Sequence, residues 1–305
     1  MQFKKYSLLS VFILVTTFSV FSWEGQPVTA DPRDILDYPQ SDWRDRRYEV
    51  FRWERFPSVL IFDTANYRVQ NALFKRLAFF VEKLEFRGTL HANSEIADLH
   101  GWNAHDYRAE DLAAFFEEAR RTRFLLNYEE GELARILVSA GIIRRNAAGQ
   151  FIPGEGAIIS ISRESPDYLR HRFMVHEAFH AVFFIDEDFR NFSRRRFENL
   201  SPQAKAFILS YFELQKYDIT DPYLVVNEFM AHVLQQASSN AGEYFGKTLA
   251  SRIYATQFRT SLPSRDERSN SWPYLAKVFQ TEAEAFSAYV NERWGFAAGR
   301  VWQRN

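Results

Sequence analysis

The apolar positions of this chain fall into alternating short runs and longer helical periods. Ser58 to Phe62 (SVLIF) is a β-branched, apolar run that predicts a strand. Asp63 and Thr64 offer a helix cap, and Asn66 to Phe86 repeats apolar residues at helical spacing (Leu73, Leu77, Phe80, Val81, Leu84) until Gly88 stops it. Residues 109–126 and 130–140 give two more helices, the second ended by Gly141, and 146–156 is a turn-rich loop. Ala157 to Ile161 (AIISI) predicts a second strand, followed by a helix that opens at Ser165 and Pro166 and runs to about Ile185. After a basic stretch (FRNFSRRRFENL), helices are expected over 202–217, 222–236, 242–258 and 273–294. No repeat is present. The expected fold is α+β and mostly helical, with a small sheet packed on the helix that ends near Ile185.

This pattern divides the chain into residues 23–47, an irregular lead-in rich in Asp, Pro and Arg; 48–156, a mainly helical amino-terminal lobe; and 157–305, the remaining helices with one strand. Ahead of these, Lys4 and Lys5 precede the apolar run Leu8 to Phe21, with Val20 and Ser22 at −3 and −1 of a cleavage site. Residues 1–22 therefore read as a secretory signal peptide, too short in its apolar part for a bilayer span of about 20 residues. Its loss removes two lysines and leaves 36 basic against 39 acidic residues, a net charge of −3. The expectation is an exported protein, periplasmic or extracellular, without stable membrane insertion.

Composition narrows the chemistry. With 46% hydrophobic residues the chain can bury a large core. The balance of charge, without long like-charge blocks, gives no footprint for nucleic acid. Cysteine is absent, so disulfides, thiolate ligands and a cysteine nucleophile are excluded, and any metal must be held by His and carboxylate.

Residues 176–180 read His-Glu-Ala-Phe-His. Positions i and i+4 share a helix face, so His176 and His180 can reach one ion at about 2.0–2.1 Å with Glu177 beside an open coordination position. The plain alternative is a solvated helix that happens to carry these residues. The flanking FMV and AVFFI argue instead for a buried helix, where two imidazoles and a carboxylate need partners. Glu177-x-x-His180 is also the E-x-x-H unit of di-iron bundles, but a second such unit does not occur.

Through His176, Glu177 and His180, with the strand Ala157 to Ile161 upstream, residues 155–240 resemble the zincin metallopeptidases. That resemblance implies bound Zn2+, Glu177 as general base, a peptide or protein substrate, and a cleft-edge strand at Ala157 to Ile161 along which an extended peptide pairs. The string Asn227-Glu228-x-x-Ala231-His232 is similar to the gluzincin signature N-E-x-x-S/A-D, which implies Glu228 as third ligand. His232 departs from it, where orienting a ligand, oxyanion stabilisation and extra ligation all stand open. Glu198 and Glu213 are rivals to Glu228, and Asp186 falls at the metzincin position but lacks the glycine that subgroup needs, since Phe183 occupies it. The gap of 47 residues from His180 to Glu228 suggests an insertion. His100, His105 and Asp106 could approach the cleft from the amino-terminal lobe but read more simply as a surface loop, and His171, Arg170 and Arg172 as the edge of the motif. The competing function is a non-catalytic, zinc-containing envelope binding protein, its site closed by His232 as a fourth ligand.

Overall fold

The computed structural model describes residues 25–257 and 265–303, so the predicted signal segment lies outside the described residues. In chain order the elements are β1 (Val28–Ala30), α1 (Pro32–Asp37), β2 (Tyr48–Trp53), β3 (Val59–Thr64), α2 (Tyr67–Val81), α3 (Asn93–Ile96), β4 (His105–Arg108), α4 (Ala109–Thr122), α5 (Tyr128–Ala140), β5 (Ile143–Arg145), β6 (Phe151–Pro153), β7 (Ala157–Ser162), α6 (Asp167–Ile185), α7 (Glu187–Glu198), α8 (Pro202–Leu214), α9 (Pro222–Leu234), α10 (Ser238–Glu243), α11 (Ala250–Gln257) and α12 (Arg265–Trp294). The protein is α+β, mostly helical, with a small mixed sheet.

Five strands form that sheet in the order β1-β2-β3-β7-β4. β7 runs parallel to β3, with Ile61 opposite Ile159, and antiparallel to β4, with Asp106 opposite Ile159. Successive side chains of a strand leave on opposite faces. Val59 and Ile61 therefore join the core beneath α6, α9 and α12, while Leu60 and Phe62 join a second core under α2, α4 and α5. Helices on both sides explain why all six residues of β3 and of β7 are buried, and why both read as near-continuous apolar runs.

Several expectations change here. Ala157 to Ile161 is not a cleft edge: β7 has a strand on each side, and the edge beside it is β4, whose sequence HDYR is too short and polar to signal a strand. The lead-in 23–47 is not wholly irregular, because β1 pairs with β2 (Val28 opposite Phe51) and α1 is capped by Asp31. Those partners are remote in sequence and leave no local period. Residues 48–156 carry β2 to β6 as well as helices. The basic stretch is the helix α7, in which Arg196 pairs with Glu282 at 2.7 Å and Asp186 caps the first turn. It and α8 fill the gap between His180 and Glu228.

The helix α6 is fixed to the sheet by charge. Asp63, at the end of β3 and fully buried, takes two hydrogen bonds of 2.6 Å from Arg170 of α6 and one of 2.8 Å from Arg163. It does not cap α2; Asn66 does, accepting from the Val69 amide at 3.0 Å. Removing the carboxylate strands a guanidinium that is 4% exposed. Asp63→Ala is expected to cost about 3–5 kcal/mol in urea unfolding, and a loss below about 1 kcal/mol would show that this pair does not anchor the helix.

Candidate metal centre

Nearly every side of α6 is apolar and covered: Met174, Val175, Ala178, Phe179, Ala181 and Val182 are fully buried. The face that carries His176 and His180 turns towards α9. The two Nε2 atoms lie 3.0 Å apart, and α9 brings Glu228 to them, with Oε2 3.9 Å from His176 Nε2 and Oε1 3.8 Å from His180 Nε2. These three residues offer donor atoms all within 4.8 Å of one another. Tetrahedral bonds of about 2.0–2.1 Å place ligand atoms about 3.3 Å apart, so the observed separations straddle what one zinc ion requires.

The donors also lack other occupation. His176 Nδ1, His180 Nδ1 and Glu228 Oε2 are buried without a hydrogen-bond partner. Burial, His180 and Asp106 set the Glu228 carboxyl at about 7, with burial the largest influence, although Tyr217 hydrogen-bonds to it. Burial and the neighbouring imidazoles hold His176 well below its ordinary value, so it is neutral and able to ligate. A divalent cation among the converging Nε2 atoms and Glu228 would answer the cost at the carboxylate, while the two Nδ1 atoms lie on the other side of their rings.

Glu177 lies beside His180 and faces Asp106 of β4. Burial, then the adjacent Asp106 carboxylate, pushes its carboxyl well above the usual range. Asp106 Oδ2 lies 4.0 Å from His180 Nδ1, where a carboxylate can orient a ligating imidazole. Asp106, Glu177 and His180 form a second set of donors within 4.8 Å. The segment read as a surface loop is therefore corrected: His105 is buried, with Nδ1 3.0 Å from the Tyr107 hydroxyl, and Asp106 faces the centre. A weak signal was present in the alternation of His105 and Tyr107 with Asp106 and Arg108.

His232 lies one turn beyond Glu228, its Nε2 3.8 Å from Glu228 Oε2. Its Nδ1 meets the Gln235 amide nitrogen at 3.2 Å and the Tyr244 hydroxyl at 3.4 Å. Burial lowers its pKa to about 3. The other candidates stand apart. Glu198 and Glu213 are exposed, and Asp186 caps α7 and pairs with Arg293. Arg172 lines the cleft, as does His100, whereas Arg170 is committed to Asp63 and His171 packs edge-on against Trp302.

The centre opens into a cleft of about 510 Å³. One wall is aromatic: Trp102 stacks on Tyr217 at 6.1 Å, and the Lys83 ammonium lies 3.2 Å from the centroid of the indole. Another carries Arg108, paired with Asp111 at 2.9 Å and seated 4.7 Å from the Tyr223 ring centroid. No helix among the described residues is long and apolar enough to cross a membrane. No family model, curated protein or solved structure matches this chain, so the case for its chemistry rests on the geometry above.

A cation at this centre must displace a proton from Glu228. Zinc affinity, measured by competition with a chromophoric chelator, is expected to rise with pH through about 7, because the Glu228 carboxyl set at about 7 and His180, which burial lowers but the Asp106 and Glu228 carboxylates raise on balance, both hold protons that the ion must displace. Affinity independent of pH across that range would remove Glu228 from the ligand set.

Proposed function

We propose that this chain is an exported zinc-dependent metallopeptidase of zincin type, gluzincin-like in taking Glu228 as third ligand. The observation that supports it best is the convergence of His176, His180 and Glu228 in a buried cluster, with Glu177 beside them at the floor of an open cleft. Zinc held there supplies a Lewis acid and makes bound water acidic. Glu177 would take the proton of the attacking water and later pass it to the leaving amine. Asp106, 4.0 Å from His180 Nδ1, and Tyr217 beside Glu228 flank the two ligands.

The substrate is a peptide or protein segment, and no feature of the cleft calls for nucleic acid. β4 has a partner on one side only, so its outer edge is open to an extended peptide, which then passes the aromatic wall of Trp102 and Tyr217. Export rests on the amino-terminal pattern of Lys4, Lys5 and the apolar run behind them.

The alternative, a non-catalytic zinc-containing envelope binding protein, draws on His232, whose 3.8 Å approach to Glu228 offers a fourth ligand that would close the site. Hydrolysis of fluorescently quenched casein, with zinc content measured in parallel, separates the two. Glu177→Gln is expected to keep its zinc and lose about 10²- to 10⁴-fold in rate. A variant with full zinc and undiminished hydrolysis contradicts the mechanism, and zinc-loaded wild type that cleaves nothing favours the binding protein.

A further inference from the structure

We propose that Arg172 anchors a carboxylate of the bound peptide, so that the cleft selects peptides carrying a C-terminal carboxylate, or an Asp or Glu side chain, a few residues from the bond at the metal centre. The inference rests on the peptidase reading and names a class of substrate for it. Three observations carry it.

The first is that Arg172 has no partner of its own. Among the described residues the arginines that line the cleft are Arg87, Arg108 and Arg172. Arg87 reaches Asp218 at 3.4 Å and Asp221 at 3.2 Å, and Arg108 holds Asp111 at 2.9 Å. Arg172 makes neither a hydrogen bond nor an ion pair among the described residues, although it is partly buried. Its neighbours in sequence, Arg163 and Arg170, are both committed to Asp63. A guanidinium keeps its charge in a protein and presents a planar fork that matches a carboxylate with two parallel hydrogen bonds.

The second is its place. Arg172 and His176 lie four residues apart on α6 and share one face of the helix. That spacing is a rise of about 6 Å along the axis. An extended peptide advances about 3.3 Å per residue, so a chain whose carbonyl lies at the centre brings a group roughly two or three residues away level with Arg172.

The third is its surroundings. Leu169 and Phe173 line the cleft beside it, three residues before and one after, and their side chains offer no acceptor that would compete with a ligand. Of the carboxylates in the cleft, Asp111 and Asp221 are held by Arg108 and Arg87, and Asp106, Glu177 and Glu228 belong to the metal centre. None of them, nor Glu82, pairs with Arg172. A carboxylate that enters therefore meets one unopposed guanidinium, in a partly apolar setting that strengthens a charge-assisted hydrogen bond.

The test is calorimetric binding of short acetylated peptides of alanine and phenylalanine to zinc-loaded Glu177→Gln, with zinc content measured in every variant. Each peptide is made with a free C-terminal carboxylate and as the amide, and the amide also with one internal Asp or Asn. The carboxylate member of at least one pair is expected to bind about 10- to 100-fold tighter than its neutral counterpart, and the pair concerned tells a C-terminus from a side chain. Adding Arg172→Gln is expected to bring that ratio close to parity, and Arg172→Lys to retain part of it. Equal binding of charged and neutral members, a preference that survives Arg172→Gln, an equal loss of both members in that variant, or binding of no peptide at all overturns the inference. Because binding is read without turnover, a carboxylate preference that depends on Arg172 in a protein whose wild type cleaves no casein would sink the peptidase reading and leave this one standing. Casein hydrolysis by wild type without any carboxylate preference does the reverse.

Discussion

Two imidazoles and a carboxylate face one another between α6 and α9, inside apolar packing that offers them almost no hydrogen bonds. Burying an unpartnered polar group costs about 1–3 kcal/mol, and more when it is charged. The surrounding helices, from Phe179 and Val182 to Phe229 and Met230, contribute enough apolar burial to hold the cluster together regardless. One divalent cation among the two Nε2 atoms and Glu228 would relieve the buried carboxylate and the close approach of the two rings.

The sheet turns that preference into a site with an orientation. β3 presents Asp63 to Arg170 and sets how α6 lies across the sheet. β7 fills the centre, and β4 lies at its far side, bringing Asp106 against Glu177 and His180. The strand that bounds the cleft is thus also the one that supplies a carboxylate to its floor. On the proposed reading, a peptide aligned along β4 would pass beside Glu177.

Much of this was legible in the chain because the informative residues break a local rule. Glu228 stands out as a carboxylate in the apolar helix YLVVNEFMAHVL, and His176 and His180 as polar residues between FMV and AVFFI. β3 and β7 announce themselves as apolar runs for the same reason that they are buried on both faces. The remainder depended on contacts between distant segments. β4 is four residues long and half polar, so Asp106 looked like part of a loop, and β1 exists only because β2 lies beside it. Gln235 and Tyr244 carry no signal in their own surroundings and stand out only where they meet His232.

The central claim concerns the atoms that surround one cation. X-ray absorption fine structure at the zinc edge of the loaded protein reads them directly. A shell of nitrogen and oxygen at about 2.0–2.1 Å is expected, with the outer-shell scattering of two imidazoles and room for one or two solvent oxygens. A spectrum with three imidazoles, with none, or with zinc bound only at a loose surface site would contradict it.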